Sequence, residues 1–183
     1  VRHVIINSLL SHKKKHIKVY GEMIIACDGP TYWRRQYFEN YKAKRRKDRE
    51  ESKLNWDLIF KAMSQVREEL VEHFPWRVIR LERCEADDII AVLTKFLRTE
   101  FGRTEKVLII SSDNDMSQLQ SYQDVVQWSA LLKKFIKLSP KEVKEYVNMC
   151  TVKGQKKDGI PSIKQADDVF IIENPPRAPS IFQ

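Results

Sequence analysis

Three short β-type runs in this chain lead to carboxylates, and helical patterns follow them. Ile17 to Cys27 ends at Asp28-Gly29-Pro30, Val78-Ile79-Arg80-Leu81 leads into Glu85-Ala86-Asp87-Asp88, and Lys106 to Ile110 ends in Ser111-Ser112-Asp113-Asn114-Asp115. Between the first two, Ile59, Phe60, Met63, Val66, Leu70 and Val71 mark one face of a helix from Trp56 to Phe74, stopped by Pro75. After the second, Ile89, Ile90, Val92, Leu93, Phe96 and Leu97 mark another helix. Strands that alternate with helices predict an α/β fold with a mostly parallel central sheet flanked by helices. In an open sheet of that kind ligands collect outside the carboxyl ends of the strands, so the three acidic motifs are expected on one edge.

The remaining segments fit the same plan. Val1, Val4, Ile5, Ile6, Leu9 and Leu10 recur at helical spacing, and Lys13, Lys14, Lys15 and His16 follow where the negative end of a helix dipole favours cations. Met116 to Leu119 reads as one helical turn, and Val125 to Trp128 and Phe135 to Leu138 as two further strands. Ser139-Pro140 with Glu142 opens a helix to about Lys153, with Pro at the first helical position. A loop runs from Gly154 to Ile160, and the Pro-containing tail from 171 to 183 reads as irregular. At 183 residues, one domain over 1–170 is expected.

Charge adds a second constraint. The chain carries 33 Lys and Arg against 25 Asp and Glu, a net charge of +8. Residues 1 to 53 hold 14 Lys/Arg and 6 Asp/Glu, while residues 54 to 183 hold 19 of each, so the whole excess lies in the first third. Such a block is either a polyanion footprint or a solvated surface, and charge alone does not separate them. Within residues 31 to 53, Arg34, Arg35, Lys42, Lys44, Arg45, Arg46 and Lys47 are interleaved with Tyr32, Trp33, Tyr37, Phe38 and Tyr41. Cations suit phosphates and aromatic faces suit unpaired bases. The near-helical spacing of the aromatics at 33, 37, 38 and 41 fits a core stripe as well.

Carboxylates gathered at one edge repel unless a cation sits among them. With oxygen donors and no His or Cys in the motifs, Mg²⁺ or Mn²⁺ is favoured over zinc. Two such ions about 3.5–4 Å apart would clamp an in-line phosphodiester displacement. Singly, each motif also has a plain alternative: Glu85, Asp87 and Asp88 complement a helix N-terminus, and Ser112 to Asp115 forms a capped turn. Cys27, Cys84 and Cys150 are far apart and odd in number, which suggests neither a disulfide framework nor a zinc site and fits a reducing, cytoplasmic setting. The longest apolar runs fall far short of the roughly 20 residues that span a bilayer.

Together these segments resemble the 5′ nuclease superfamily of flap endonucleases and polymerase I 5′ nuclease domains, in particular its branch of T-even-like phage ribonucleases H. The likeness rests on Tyr32-Trp33-Arg34-Arg35, Arg49-Glu50-Glu51-Ser52, Glu85-Ala86-Asp87-Asp88, Ile109 to Asp113 and Gly154 to Asp158. It implies a two-metal 5′ to 3′ nuclease that removes RNA primers and flaps during replication, working as a monomer on RNA–DNA hybrids and flap or forked DNA. Asp28, Glu85, Asp87 and Asp113 match the family's first metal cluster, and Asp115 and Asp158 its second. Asp88 is expected at the helix terminus. Residues 30 to 55 match the family's basic arch, which makes Tyr32, Trp33, Arg34, Arg35, Lys42, Lys44, Arg45, Arg46 and Lys47 its nucleic-acid contacts. Residues 154 to 170 match the start of a helical-hairpin element that grips duplex phosphates. A single-stranded DNA-binding protein and a sliding clamp enter as partners through the resemblance alone. For a viral protein the host cytoplasm is the expected location.

The pattern departs from the family in two places. An N-terminal strand carrying the first acidic residue is not in this sequence, and Gln155 stands where a second-cluster carboxylate is expected. The family's C-terminal helices are also expected but not in the sequence. These departures keep two alternatives open: a module that binds branched nucleic acid without cutting it, and a PIN-type ribonuclease.

Overall fold

The computed structural model describes residues 1–100 and 105–172, so the expected tail beyond 172 lies outside the described residues. In chain order the elements are α1 (Arg2–Tyr20), β1 (Ile24–Cys27), α2 (Ala43–Glu50), α3 (Trp56–His73), β2 (Arg77–Arg80), α4 (Ala86–Thr99), β3 (Val107–Ile110), β4 (Val125–Ser129), β5 (Lys134–Ile136) and α5 (Pro140–Lys153). Short 3₁₀ segments lie at Trp33–Gln36, Asn114–Ser121 and Lys156–Asp158. The chain divides into two compact units, one formed by Val1–Tyr32 with Asn55–Pro140, the other by Trp33–Leu54 with the chain from Lys141 onward.

In the first unit β1 pairs in parallel with β2, from Ile24 opposite Arg77 to Cys27 opposite Arg80. β3 pairs in parallel with β4, and β5 adds an antiparallel edge to β4. These are two small sheets instead of the single central sheet expected, because among the described residues no ladder joins β1 to β3. The run Ile17 to Cys27 also differs from its reading as one strand: Ile17 to Tyr20 continue α1, and only Ile24–Cys27 is extended. The break is Gly21, at φ 72°, whose N–H closes the helix onto the Ile17 carbonyl at 2.9 Å. A left-handed glycine ends a helix cleanly, and helical pairing overrides the β preference of Ile17 and Val19. The turn read at Met116 to Leu119 is longer, Asn114–Ser121, and the last strand is shorter, Lys134–Ile136.

Two apolar clusters hold this unit. Val66, Leu70 and Trp76 pack with Ile5 and Leu9 of α1 and with Ile25 and Val78 of the first sheet. Ile109, Met116 and Val125 pack with Ile90 of α4 and with Val107, Leu119 and Tyr122. Burying one such side chain contributes roughly 1.5–3 kcal/mol. α3 begins where Asn55 accepts a hydrogen bond from the Leu58 amide at 3.0 Å and ends before Pro75.

In the second unit α2 packs against the 3₁₀ segment Lys156–Asp158. Gly159 at φ 72° follows that segment, and a Cβ there would stand 3.0 Å from the Asn40 carbonyl. The glycine therefore permits both the turn and the close approach of the 40–43 backbone. α5 starts at Pro140 and ends at Lys153, as the sequence predicts.

Candidate functional site

Parallel pairing puts the carboxyl ends of β1 and β2 level, with Cys27 opposite Arg80, and this brings Asp28 to the loop that enters α4. Contact there depends on Gly29. Its N–H donates to the Cys84 carbonyl at 2.7 Å, and a Cβ at this position would stand 2.3 Å from the Leu81 carbonyl oxygen. The Asp28 Oδ1 accepts from the Ala86 amide at 2.8 Å, and Arg80 Nε donates to the Asp28 carbonyl at 3.0 Å. Asp88 Oδ2 accepts from the Glu85 amide at 2.9 Å, the helix-terminal role expected of it. Glu85 is buried, at 3% exposure, while Asp87 and Asp88 are half-buried. Four acidic side chains thus surround the first turn of α4, where amide donors and the helix dipole favour negative charge.

Past β3 the chain turns through Ser111, Ser112 and Asp113. Asp113 Oδ1 accepts from the Asp115 amide at 3.0 Å and caps the 3₁₀ segment Asn114–Ser121. β4 holds this turn from behind. Gln127 Nε2 donates to the Ser111 and Asp113 carbonyls at 3.0 and 2.7 Å, and the Ser129 and Ser112 hydroxyls lie 2.9 Å apart. α4 packs against both β1 and the segment Asn114–Ser121.

The carboxylates therefore fall into two sets, Asp28, Glu85, Asp87 and Asp88 about the first turn of α4, and Asp113 with Asp115. Among the described residues no group of three or more His, Cys, Asp or Glu stands close enough to hold a metal ion. The fit to a divalent cation is one of donor chemistry: oxygen ligands at strand ends, with no imidazole among them. Cys27 borders the site, and burial pushes its thiol pKa up, away from the thiolate that a metal would need.

In the second unit, Asp158 is already held. Arg45 Nη2 lies 2.7 Å from its Oδ1, Lys42 Nζ lies 3.9 Å away, and the Lys42 amide donates to the Asp158 carbonyl at 2.7 Å. Arg45 Nε also donates to the Lys157 carbonyl at 2.9 Å. Three residues read from sequence as phosphate or metal contacts are thus joined to one another, and Lys42 is buried. Lys44 pairs with Asp48 one helical turn on. Gln155 forms an isolated bridge with Ile160 beside Gly154, where a Cβ would strike the Ile160 and Pro161 carbonyls.

The aromatics of the basic segment divide between the two readings. Tyr41 is core at 7% exposure, whereas Trp33 at 39% and Tyr37 at 83% face solvent. Their rings meet edge to face at 5.8 Å, and the Arg34 guanidinium lies 4.7 Å from the Trp33 ring. Arg35 Nε donates to the Tyr41 carbonyl at 3.3 Å, Arg46 is exposed, and Tyr32 and Lys47 are half-buried.

Sequence reasoning did not single out Gly29, Arg80, Gln127 or Ser129. One signal was present: a Gln within the apolar run Val125 to Trp128, since an amide in a strand interior demands buried partners. The others depend on which loops touch, which is not written locally.

A family model described as 5′-3′ exonuclease, N-terminal resolvase-like domain, matches residues 2–148. The chain is 38% identical over 173 residues to the ribonuclease H of Enterobacteria phage T4, an alignment covering 93% of this chain and 56% of that protein. It is 26% identical over 170 residues to DNA polymerase I of Streptococcus pneumoniae, covering 87% of this chain and 18% of the polymerase. The chain thus spans a little over half of the phage protein's length. Its fold matches a bacteriophage T5 flap endonuclease crystallised as a pseudo-enzyme–product complex with DNA and metal ions, at TM-score 0.69 and 18% identity, covering 87% of this chain and 62% of that one. It also matches the T5 5′-exonuclease with divalent zinc bound, at TM-score 0.70 and 18% identity, with the same coverage of 87% and 62%. At such identities the likeness is one of fold.

Proposed function

This chain belongs to the 5′-3′ exonuclease family, in its N-terminal resolvase-like domain, and on that premise we propose that it is the nuclease core of a metal-dependent 5′ to 3′ nuclease. Its substrates are the phosphodiesters of RNA–DNA hybrids, as in RNA primers, and of DNA 5′ ends or flaps. The observation that carries this reading is the apposition of Asp28 to the first turn of α4 through the Ala86 amide. Two strand ends separated by more than fifty residues are thereby brought to one acidic locus, and a loop built only to close a fold has no need of that.

The proposed roles follow from the placement. Asp28, Glu85, Asp87 and Asp113 are the oxygen donors that would hold a divalent cation, Mg²⁺ or Mn²⁺, and Asp115 would contribute to a second. A divalent cation bound there supplies a lowered pKa for the attacking water and charge stabilisation at the leaving oxygen. Asp28 fixes the direction of its carboxylate through the Ala86 amide, and Asp113 does so through the Asp115 amide. In the basic segment Arg34, Arg35, Lys44, Arg46 and Lys47 meet phosphates, and the exposed rings of Trp33 and Tyr37 take unpaired bases.

A second reading, a module that retains branched nucleic acid without cutting it, is favoured by the state of Asp158. That carboxylate is neutralised by Arg45 and Lys42, and its neighbour Gln155 carries no charge. The two readings separate on a 5′-labelled flap and a 5′-RNA–DNA hybrid incubated with the full chain and Mg²⁺. Cleavage that disappears in Asp113→Asn, with binding retained, supports the nuclease. Retention by the wild type without any cleavage refutes it in favour of the module.

A further inference from the structure

We propose that Gln127 is a positioning residue, whose buried amide fixes the Ser111–Asp113 turn and with it the direction of the Asp113 carboxylate towards a divalent cation. This rests on the nuclease reading of the acidic motifs and adds to it a residue outside them. Gln127 is 1% exposed on β4. Both N–H groups of its amide are spent on the turn, at 3.0 Å to the Ser111 carbonyl and 2.7 Å to the Asp113 carbonyl. Those partners only accept, so they fix which end of the amide is nitrogen. The amide oxygen accepts from Gln120 Nε2 at 3.3 Å, and Gln120 Oε1 in turn accepts from the Leu138 amide at 3.1 Å.

Ser129, fully buried two residues along the same strand face, holds the middle of the turn through Ser112, whose hydroxyl also accepts from the Leu131 amide at 3.1 Å. The Ser111 amide itself donates to the Trp128 carbonyl at 3.1 Å. Every residue of the turn is thus tied to β4, and its last member carries the carboxylate. An apolar side chain at 127 would fill the same space beside Val125, Val126 and Trp128. The amide's distinctive contribution is to the two carbonyls that flank Ser112.

Mn²⁺ binding by the full chain, followed by the electron paramagnetic resonance of free Mn²⁺, tests this beside hydrogen exchange of the 111–116 backbone. Gln127→Leu is expected to weaken Mn²⁺ binding by about 10- to 100-fold, the usual cost of losing a partner that orients a ligand, and to speed exchange at 111–116. Leu70→Ala, which destabilises the separate cluster on α3, is the control for general loss of stability and should keep wild-type affinity. Gln127→Asn, which keeps both donors but withdraws them by one methylene, is the second variant should Gln127→Leu not fold. Wild-type Mn²⁺ affinity in the folded variant, or an equal loss in Leu70→Ala, overturns the proposal and leaves the nuclease reading standing. A wild-type chain that neither binds Mn²⁺ nor cleaves a flap overturns both.

Discussion

Arg45 Nη2 stands 2.7 Å from Asp158 Oδ1, with the Arg45 side chain 42% exposed and that of Asp158 only 8%. The carboxylate is the desolvated partner and also lies 3.9 Å from the buried Lys42 Nζ, so Arg45→Met leaves it one cation whereas Asp158→Asn strips both cations of this counter-charge. Arg45→Met is expected to destabilise the protein by about 1–3 kcal/mol, the usual cost of stripping a partner from a buried charged group. Asp158→Asn keeps the shape and an acceptor but removes the carboxylate that faces the buried Lys42 charge, and should cost at least as much. A double-mutant cycle in urea should return a coupling of about 1–2 kcal/mol, and additive effects would show that the pair does not hold the 3₁₀ segment to α2.

Asp28 accepts a hydrogen bond at the entry to α4 and is proposed as a metal ligand, and two substitutions separate the two roles. Asp28→Asn keeps an oxygen for the Ala86 amide, so the unfolding midpoint should barely move while Mg²⁺-dependent cleavage collapses. Asp28→Ala loses both, and should show the same loss of cleavage plus about 1 kcal/mol of stability, the typical value of a helix cap. Equal unfolding midpoints in the two variants would remove the capping role. Full cleavage by Asp28→Asn would remove the ligand role.

How much of this was written in the sequence can be judged from the same residues. The strand ends at Asp28 and Asp113 were legible because apolar runs stop there, and α3 to α5 were legible from their apolar spacing, Pro75 and Pro140. Gly21 was the stop signal for α1, but the β-branched residues before it masked the helix. The separation into two sheets had no local signal, since pairing depends on which edges meet. The joining of Asp158 to Arg45 across more than a hundred residues was hidden for the same reason. A charge reads alike whether it waits for a phosphate or already holds a carboxylate.

His16 offers a pH dependence whose sign is fixed. It is buried on α1, within ring contact of His12, Tyr20 and Trp128, and its Nε2 has no hydrogen-bond partner among the described residues. Burial first, then the charges of Lys15 and His12, push its pKa below the usual imidazole value. The unfolded chain therefore binds this proton more readily than the folded one. The stabilising contribution is complete above the unfolded value of about 6.5 and is lost as pH falls from there towards the folded value. Urea midpoints at about pH 7.5 and about pH 5 should fall apart further in the wild type than in His16→Phe. An identical drop in both would place the acid sensitivity elsewhere.

The basic segment makes the last prediction, because its cations are now of two kinds. Lys42 is buried against Asp158, whereas Arg34 lies against the exposed Trp33 and Arg46 is exposed. Each cation that meets a phosphate releases a counterion and steepens the dependence of log K on log salt by about 0.7 on a single strand or about 0.9 on a duplex. Replacing Arg34, Arg46 and Lys47 together with Gln should flatten the slope for a flap by roughly 2 units and weaken binding most at low salt. Lys42→Gln should leave the slope unchanged and appear instead as a loss of stability, since its charge is compensated before any nucleic acid arrives. A flattened slope in Lys42→Gln would mean that the ion pair opens to meet phosphate. An unchanged slope in the triple variant would return the positive charge of residues 31 to 53 to solubility alone.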